Sequence, residues 1–453
     1  MATINTIKLS QLEGAKRIDA EFYQPEYIID FSKGKWIPIK KILEICQYGI
    51  SQAMIEEPAG YPIFRMDDIK DGFLVDDEVK YIQISKNTFE QFKLEINDIL
   101  FNRVNAEEFV GRTGIFKLKG NFVFASYLIR IRTKRNSQIL PDYLNIFLNC
   151  KFGKKQIKRF SRRAVNQANV NAEEVKNFKI PLFSIDFQKK IATLSNEAWE
   201  NIQLSKTLYQ QAESILLQEL GLQDFKPQYH LSYTTTFSNT FNTHRIDAEY
   251  FQPIYEEVIN RIKSYKNGFD KLLNCVENVK ADFNPYRLPN KVFSYVELAD
   301  INTSVGTIEN SKQIKGDEAP SRARRIIKQG DVIVSRVEGS LEKVALVSKD
   351  FENSLASTGF FQFRPFKISP QVLLVLAKSL ILQIQFKREC AGTILTAIPE
   401  KALTRFIIPI LPDDIQQKIS SLVQQSHQAR QKAKQLLEEA KRTVEKEIEE
   451  LSS

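Results

Sequence analysis

The chain repeats itself at a domain-sized interval. Arg17-Ile18-Asp19-Ala20-Glu21, followed by Phe22-Tyr23-Gln24-Pro25, recurs 228 residues later as Arg245-Ile246-Asp247-Ala248-Glu249 and Tyr250-Phe251-Gln252-Pro253. The same offset joins Asp186-Phe187-Gln188-Lys189-Lys190-Ile191 to Asp414-Ile415-Gln416-Gln417-Lys418-Ile419. Between these ends, Asn97-Asp98-Ile99-Leu100-Phe101-Asn102-Arg103 matches Gly330-Asp331-Val332-Ile333-Val334-Ser335-Arg336. Ala125-Ser126 matches Ala356-Ser357, and Phe178-Lys179-Ile180-Pro181 matches Phe406-Ile407-Ile408-Pro409. Cys46 and Cys275 are roughly equivalent. The offset drifts in the middle of each copy and then recovers, so the copies share a frame and differ in their loops. Self-similarity at a fixed period marks a duplicated architecture. A period this long means two tandem modules rather than a solenoid, in a chain that does one thing at two places.

Each copy reads in the same order. Short apolar or alternating runs bounded by Gly, Asn and Asp are strand signals. They fall at Tyr61–Met66, Asp98–Val104, Gly114–Leu118 and Phe122–Arg132, then at Val292–Leu298, Asp331–Val337, Lys343–Val347 and Gly359–Arg364. A helix opening on proline follows in each copy, Pro141–Cys150 and Pro370–Phe386, since proline fits the first helical position. Each module closes on a proline-bearing strand and runs into a long helix. Apolar residues at spacings of three and four mark Asp186–Leu222 (Ile191, Leu194, Ala198, Ile202, Leu208, Ala212, Ile215, Leu220) and Asp414–Leu451 (Ile419, Leu422, Ala429, Ala433, Leu436, Ala440, Val444, Ile448). Such stripes suggest a coiled-coil seam. At ~1.5 Å per residue each helix is roughly 55 Å long and needs a partner for its stripe, for which its duplicate is the obvious choice. Asp413 and Gln416 have capping-box spacing, and Gly221 is a helix stop.

The expected fold is therefore α+β. Two tandem mixed α/β modules are each followed by a long helix, and the helices pair as an antiparallel coiled coil with pseudo-twofold symmetry. The expected divisions are 1–185 for the first module, 186–222 for the central helix, 223–412 for the linker and second module, and 413–453 for the C-terminal helix. Antiparallel pairing would set the modules at opposite ends of a rod.

Composition narrows the chemistry. With 43% hydrophobic and 26% charged residues among 453, each half can bury a core. There is no apolar run of the ~20 residues a membrane span needs, and the first residues do not have the pattern of a secretory signal. The four cysteines (Cys46, Cys150, Cys275, Cys390) lack metal-ligand or redox spacing, which suits a reducing cytoplasm. The three histidines do not recur between copies, and there is no Gly-rich phosphate loop. Asn284-Pro285-Tyr286 lacks the second proline of a methyltransferase base pocket and reads as a turn. No cofactor or metal is expected. A net charge of +9 suits an anionic partner, with basic clusters at 151–163 and at Ser321-Arg322-Ala323-Arg324-Arg325.

The ordered set of landmarks, present twice, resembles the DNA-specificity subunit of type I restriction–modification enzymes over essentially the whole chain. The resemblance implies that each module is a target-recognition domain reading one half of an asymmetric bipartite site on double-stranded DNA. It implies a non-catalytic chain whose helices fix the gap between half-sites and dock two methylation subunits. Those subunits would carry the adenine methyltransferase chemistry, and separate restriction subunits would carry translocation and cleavage. On a ~55 Å rod the readers would meet the duplex about one and a half turns apart.

Cations suit phosphates, Arg forks onto guanine, and Asn or Gln forks onto adenine. The candidates in copy one are Arg103, Arg112, Arg162, Arg163, Asn166, Gln167 and Asn169. In copy two they are Arg322, Arg324, Arg325, Arg336, Lys387, Arg388 and Thr393. Arg103 and Arg336 recur at equivalent places, so a role in the fold competes with DNA contact. The Arg17–Asp19 and Arg245–Asp247 pairs are candidates for tying each module to its helix. The alternative from another class is a metal-dependent nuclease built on Asp68, Glu78 and Lys80. A further alternative is a specificity chain whose partner fuses methylation and cleavage.

Overall fold

The computed structural model describes residues 6–12, 17–164, 167–226, 228–392 and 396–452. It divides into two compact units, one made of 1–202 with 431–453 and the other of 203–430. Each unit thus holds one sequence copy and one half of each long helix.

The main sheet of the first unit runs, in spatial order, Leu43–Tyr48, Leu128–Thr133, Ile99–Asn102, Thr113–Ile115, Phe73–Leu74 and Ile69–Lys70. The second unit repeats the order in Val276–Asn278, Phe360–Pro365, Val332–Ser335 and Val344–Leu346. There the last two strands, Ile301–Asn302 and Thr307–Ile308, form a separate hairpin. A second sheet in each unit contains one parallel pair, Val123↔Ile63 in one and Tyr295↔Leu355 in the other. The closing strands also recur, Trp36–Pro38 with Lys179–Pro181 and Phe269–Lys271 with Ile407–Pro409.

The Asn/Gly-Asp landmark has a structural explanation. Asn97 (φ 74°) and Gly330 (φ 88°) occupy the left-handed region, which glycine and asparagine tolerate best. The turn they make delivers Asp98 and Asp331 into the interior, each 1% exposed. Asp98 accepts a two-pronged grip from Arg132, Nε at 2.6 Å and a terminal nitrogen at 2.7 Å, and the Glu95 amide at 2.9 Å. Asp331 accepts the same from Arg364 at 2.9 and 3.0 Å and from the Lys328 amide at 2.9 Å. The clamp thereby fixes the turn before the central strand to the neighbouring strand.

Helices and strands depart from the sequence expectations in three places. The expected helix Pro370–Phe386 is two helices, Pro370–Lys378 and Leu380–Glu389, and copy one has the same pair, Pro141–Asn149 and Lys151–Phe160. The break falls at Ser379 and Cys150, whose extended backbones end one helix and start the next. Apolar periodicity runs through it without a Gly or Pro to betray it. The capping box at Asp413 does not form, because Asp413 is already helical. Gln416 instead donates to the Leu411 carbonyl at 3.0 Å, as Gln188 does to that of Phe183 at 3.1 Å. Copy one also has a hairpin, Arg162–Ala164 with Gln167–Asn169, that the strand signals miss.

The long helices run Ile185–Glu219 and Asp413–Ser452. The first ends as expected at Gly221 (φ 63°), with the Leu222 amide bonded back to the Leu217 carbonyl at 2.8 Å. The helices pair antiparallel: the first half of one shares a unit with the second half of the other. In the first unit Ile191 and Ala198 join Ala433, Leu436, Ala440, Val444 and Ile448 in the module core. In the second, Tyr209, Ala212, Leu216 and Leu220 join Ile419 and Val423. Tyr209, not the expected Leu208, is the position turned fully inward. The buried hydroxyls of Ser205 and Ser426 meet at 3.1 Å across the seam.

Removing one partner of a buried charge pair strands the other. Asp98→Ala is therefore expected to cost about 3–5 kcal/mol, read as a lowered urea midpoint by circular dichroism. Asp331→Ala is expected to lose less, since Arg364 is the more exposed arginine (36% against 15%).

Candidate nucleic-acid interface

The duplicated Arg-Ile-Asp motif is a brace. Arg17 grips Asp19 through Nε at 2.8 Å and a terminal nitrogen at 2.5 Å, donates to the Phe160 carbonyl at 3.1 Å and lies 4.7 Å from the Phe22 ring centre. Arg159 covers the same ring at 4.3 Å. In copy two Arg245 grips Asp247 at 2.7 and 2.8 Å, donates to the Cys390 carbonyl at 3.1 Å and covers Tyr250 at 4.5 Å. Arg388 covers the same ring at 4.7 Å. The partners are the ends of helices Lys151–Phe160 and Leu380–Glu389 within each module. The motif therefore does not tie a module to its long helix. It ties the chain's approach to the module's own helix pair.

That finding reassigns part of the basic stretch 151–163. Arg159 is buried on Phe22, and Lys151 is paired with Glu449. In copy two, Lys387 faces Glu249 at 3.5 Å and Arg388 faces Glu256 at 2.8 Å. Each of these cations thus has a role inside the fold, although Lys387 keeps 52% of its side chain exposed. Arg325 is 4% exposed, its guanidinium bonded to the Val279 carbonyl at 2.5 Å, and burial pushes its pKa down to about 10. It supports the sheet from inside.

The other candidates of copy one gather around one ribbon. Strand Arg162–Ala164 pairs with Gln167–Asn169, which pairs with Val104–Asn105, next to Arg103. Opposed residues in an antiparallel pair share a face, so Arg162, Gln167 and Asn169 lie together. Arg162 and Gln167 are exposed and Asn169 is half-buried. Arg162 reaches Glu174 at 3.1 Å, and on the other face Arg163 reaches Glu107 at 2.5 Å. Ala168 anchors the ribbon, 1% exposed. Asn166 lies outside the described residues.

Arg103 donates to the Ser126 carbonyl at 3.0 Å and covers Tyr48 at 4.8 Å. Arg336 covers Phe361 at 5.1 Å. Both brace the base of their ribbons. Arg112 is exposed and covers Phe109 at 4.1 Å. Tyr127, one residue after the Ala125-Ser126 landmark, is 46% exposed, and its carbonyl accepts the Arg103 amide. The sequence reading missed this aromatic beside the ribbon. Its only signal is an unmatched tyrosine, for which copy two has Thr358.

Copy two has a slighter ribbon, held by bridges Val337↔Ala397 and Ala391↔Ala397. Thr393 lies outside the described residues. Arg322 and Arg324 lie beside the second sheet, and the Arg322 carbonyl accepts the amide of Thr358, next to the ribbon base, at 2.8 Å. Arg322 meets Glu297 at 2.9 Å, and Arg324 donates to Asn284 Oδ1 at 2.8 Å and covers Tyr286 at 5.3 Å. Asn284 caps the turn Pro285–Arg287, so this segment is the expected turn.

The nuclease set is dispersed by other duties. Asp68 is buried and caps a turn through the Arg65 amide at 2.6 Å, while Lys80 pairs with Glu56 at 3.2 Å. Among the described residues, no group of three or more His, Cys, Asp or Glu is gathered to hold a metal. Burial raises the Cys46 and Cys150 thiols to about 11 and Cys390 to about 12, so at neutral pH they are protonated. No helix among the described residues is long and apolar enough to cross a membrane.

A family model described as the type I restriction modification DNA specificity domain matches residues 35–214, the first module and most of its long helix. A putative type I restriction enzyme MjaX specificity subunit of Methanocaldococcus jannaschii is 32% identical over 161 residues, 35% of this chain and 38% of that protein. The type I restriction enzyme EcoKI specificity subunit of Escherichia coli K12 is 24% identical over 172 residues, 37% of this chain and 36% of that protein. The chain thus spans little more than a third of the length of these curated relatives. Among solved structures, the type I S subunit from M. genitalium is aligned over 94% of this chain and 98% of its own at 12% identity and a TM-score of 0.41. The subunit from Thermoanaerobacter tengcongensis is aligned over 92% and 96% at 14% and 0.28. Residues 35–214 of this chain are thus similar to the type I restriction–modification DNA specificity domain.

The brace has a pH signature. Arg245 holds the Asp247 carboxyl below its ordinary 3.8, chiefly by hydrogen bonding. A depressed carboxylate stabilises the fold above its unfolded pKa, and that contribution fades as pH falls through the folded value. Asp247→Asn is expected to melt below the wild type at pH 7, with the gap closing as pH drops below 3.8. Thermal melts across that range check it, and a gap independent of pH contradicts the brace.

Proposed function

We propose that this chain is the non-catalytic, DNA-reading subunit of a type I restriction–modification complex, and that each module reads one half of an asymmetric bipartite site on double-stranded DNA. The observation that carries the reading is the exposed ribbon of copy one, with Arg162, Gln167 and Asn169 on one face. A two-stranded ribbon fits the major groove, where Arg matches the acceptors of guanine and Gln or Asn the donor–acceptor pair of adenine. The duplicated frame supports two reading sites, and the unlike ribbons support two different half-sites. The similarity of residues 35–214 to the type I specificity domain supports two methylation subunits as partners, docked on the paired helices and holding the methyltransferase chemistry, with restriction subunits joining the same complex. A cytoplasmic complex acting on chromosomal and invading DNA follows from that role.

Modified-base sequencing of host DNA tests the reading. A split, asymmetric adenine-methylated motif should vanish when the gene is deleted. Restoring the gene with Arg162→Ala and Gln167→Ala should relax or abolish one half of the motif and leave the other half legible. Methylation that is unchanged by deletion would refute the proposal.

A further inference from the structure

Copy two has a second cationic surface with no counterpart in copy one. It is built where strand Lys312–Lys315 pairs with Val292–Val296 at the edge of the second sheet, with Val292 opposite Lys315. The loop before it is pinned. The Asn284 side chain accepts the Tyr286 amide at 3.2 Å, and the Tyr286 hydroxyl donates to the Ala319 carbonyl at 2.8 Å. The Gly316 amide donates to the Lys291 carbonyl at 3.0 Å. A Cβ on Gly316 would come within 2.2 Å of the Leu288 carbonyl, so loop and strand end touch backbone to backbone.

This framework presents Tyr286, Arg287, Leu288, Lys291, Val292 and Lys315, all exposed. The neighbouring Lys312 and Arg322 share one carboxylate, Glu297, at 3.5 and 2.9 Å. Among the described residues Arg287, Lys291 and Lys315 form no ion pair. Asp317 and Glu318 follow on the next turn and limit the patch.

Copy one builds the same strand pair, Tyr61–Phe64 with Lys80–Ile82, where Ile63↔Lys80 stands for Tyr295↔Lys312. Gly60 and Gln83 then stand where Val292 and Lys315 do. Its flanking loop carries the exposed Glu56 and Glu57. Copy one thus carries no cation at either position, and of its two loop glutamates Glu56 is paired with Lys80.

We propose that Arg287, Lys291 and Lys315 form a DNA-backbone contact particular to the second module, so that the two modules grip their half-sites with unequal electrostatic strength. The pinned loop favours this, because preorganised cations lose little freedom on binding. The inference rests on the DNA-reading function proposed above. Each phosphate neutralised contributes about 0.9 to the slope of log affinity against log salt.

The test is fluorescence anisotropy of the full chain on a long duplex of arbitrary sequence, titrated across a range of KCl concentrations. The triple variant Arg287→Ala, Lys291→Ala, Lys315→Ala is expected to lower the slope by about 2 to 3. Charge-preserving Lys291→Arg with Lys315→Arg should keep the wild-type slope, and a slope lost there too would mean that shape, not charge, was disturbed and would overturn the assignment. A triple variant with the wild-type slope would also overturn it while leaving DNA reading intact, including if that variant loses a protein partner instead. A wild-type chain that binds no duplex would overturn both.

Discussion

A carboxylate hidden inside each main sheet holds the frame on which the modules depend. Asp98 and Asp331 are almost fully enclosed, and a charge in such a place is tolerable only with its hydrogen-bonding capacity filled. Arg132 and Arg364 donate from the adjacent strand and a backbone amide three residues upstream adds to them, with the buried Gln362 side chain a further donor to Asp331 at 2.7 Å. The clamp fixes the turn, the start of the central strand and its neighbour together. Everything beyond that strand, including the ribbon base at Arg103 or Arg336, inherits its position from it.

The same economy recurs at the modules' entrances. Arg17 and Arg159 enclose Phe22, and Arg245 and Arg388 enclose Tyr250, in geometries that agree within a few tenths of an ångström. What the copies share is thus largely interior bracing. What differs is surface: a ribbon rich in hydrogen-bonding side chains in one, and a slighter ribbon with a cationic sheet edge in the other. This division of labour suits the proposed reading of two different half-sites, since a base contact altered on a fixed frame costs nothing in the core.

Much of the frame was legible from the residues because backbone geometry imposes periodicity. The duplication, the paired helices and the strand around Asp98 all left patterns. The helix break at Ser379 did not, because it is a change of backbone angle that preserves apolar spacing, although in copy one the expected helix does end at Cys150. Candidate contacts were less legible for a related reason: charge is visible in a sequence, but its partner is not. Arg325 and Arg162 look alike as letters, yet one is 4% exposed inside a sheet and the other stands 64% open on a ribbon. Lys387 and Arg388 were likewise claimed by glutamates far away in sequence.

The division of each long helix between the two units has a consequence for how the protein is made. The core of the first unit includes Ala433, Leu436, Ala440, Val444 and Ile448, and Lys151 finds Glu449 only across 298 positions of sequence. A ribosome delivers all of the second module before it delivers the helix that completes the first. During that interval the first module carries an open apolar groove along its half of the central helix. Exposed surface of this kind invites aggregation or chaperone capture, and contacts so distant in sequence form slowly. A chain cut short after the second module would not leave one sound reader and one missing helix. It would leave both modules unfinished, so an intact C-terminal helix acts as a checkpoint for the whole molecule.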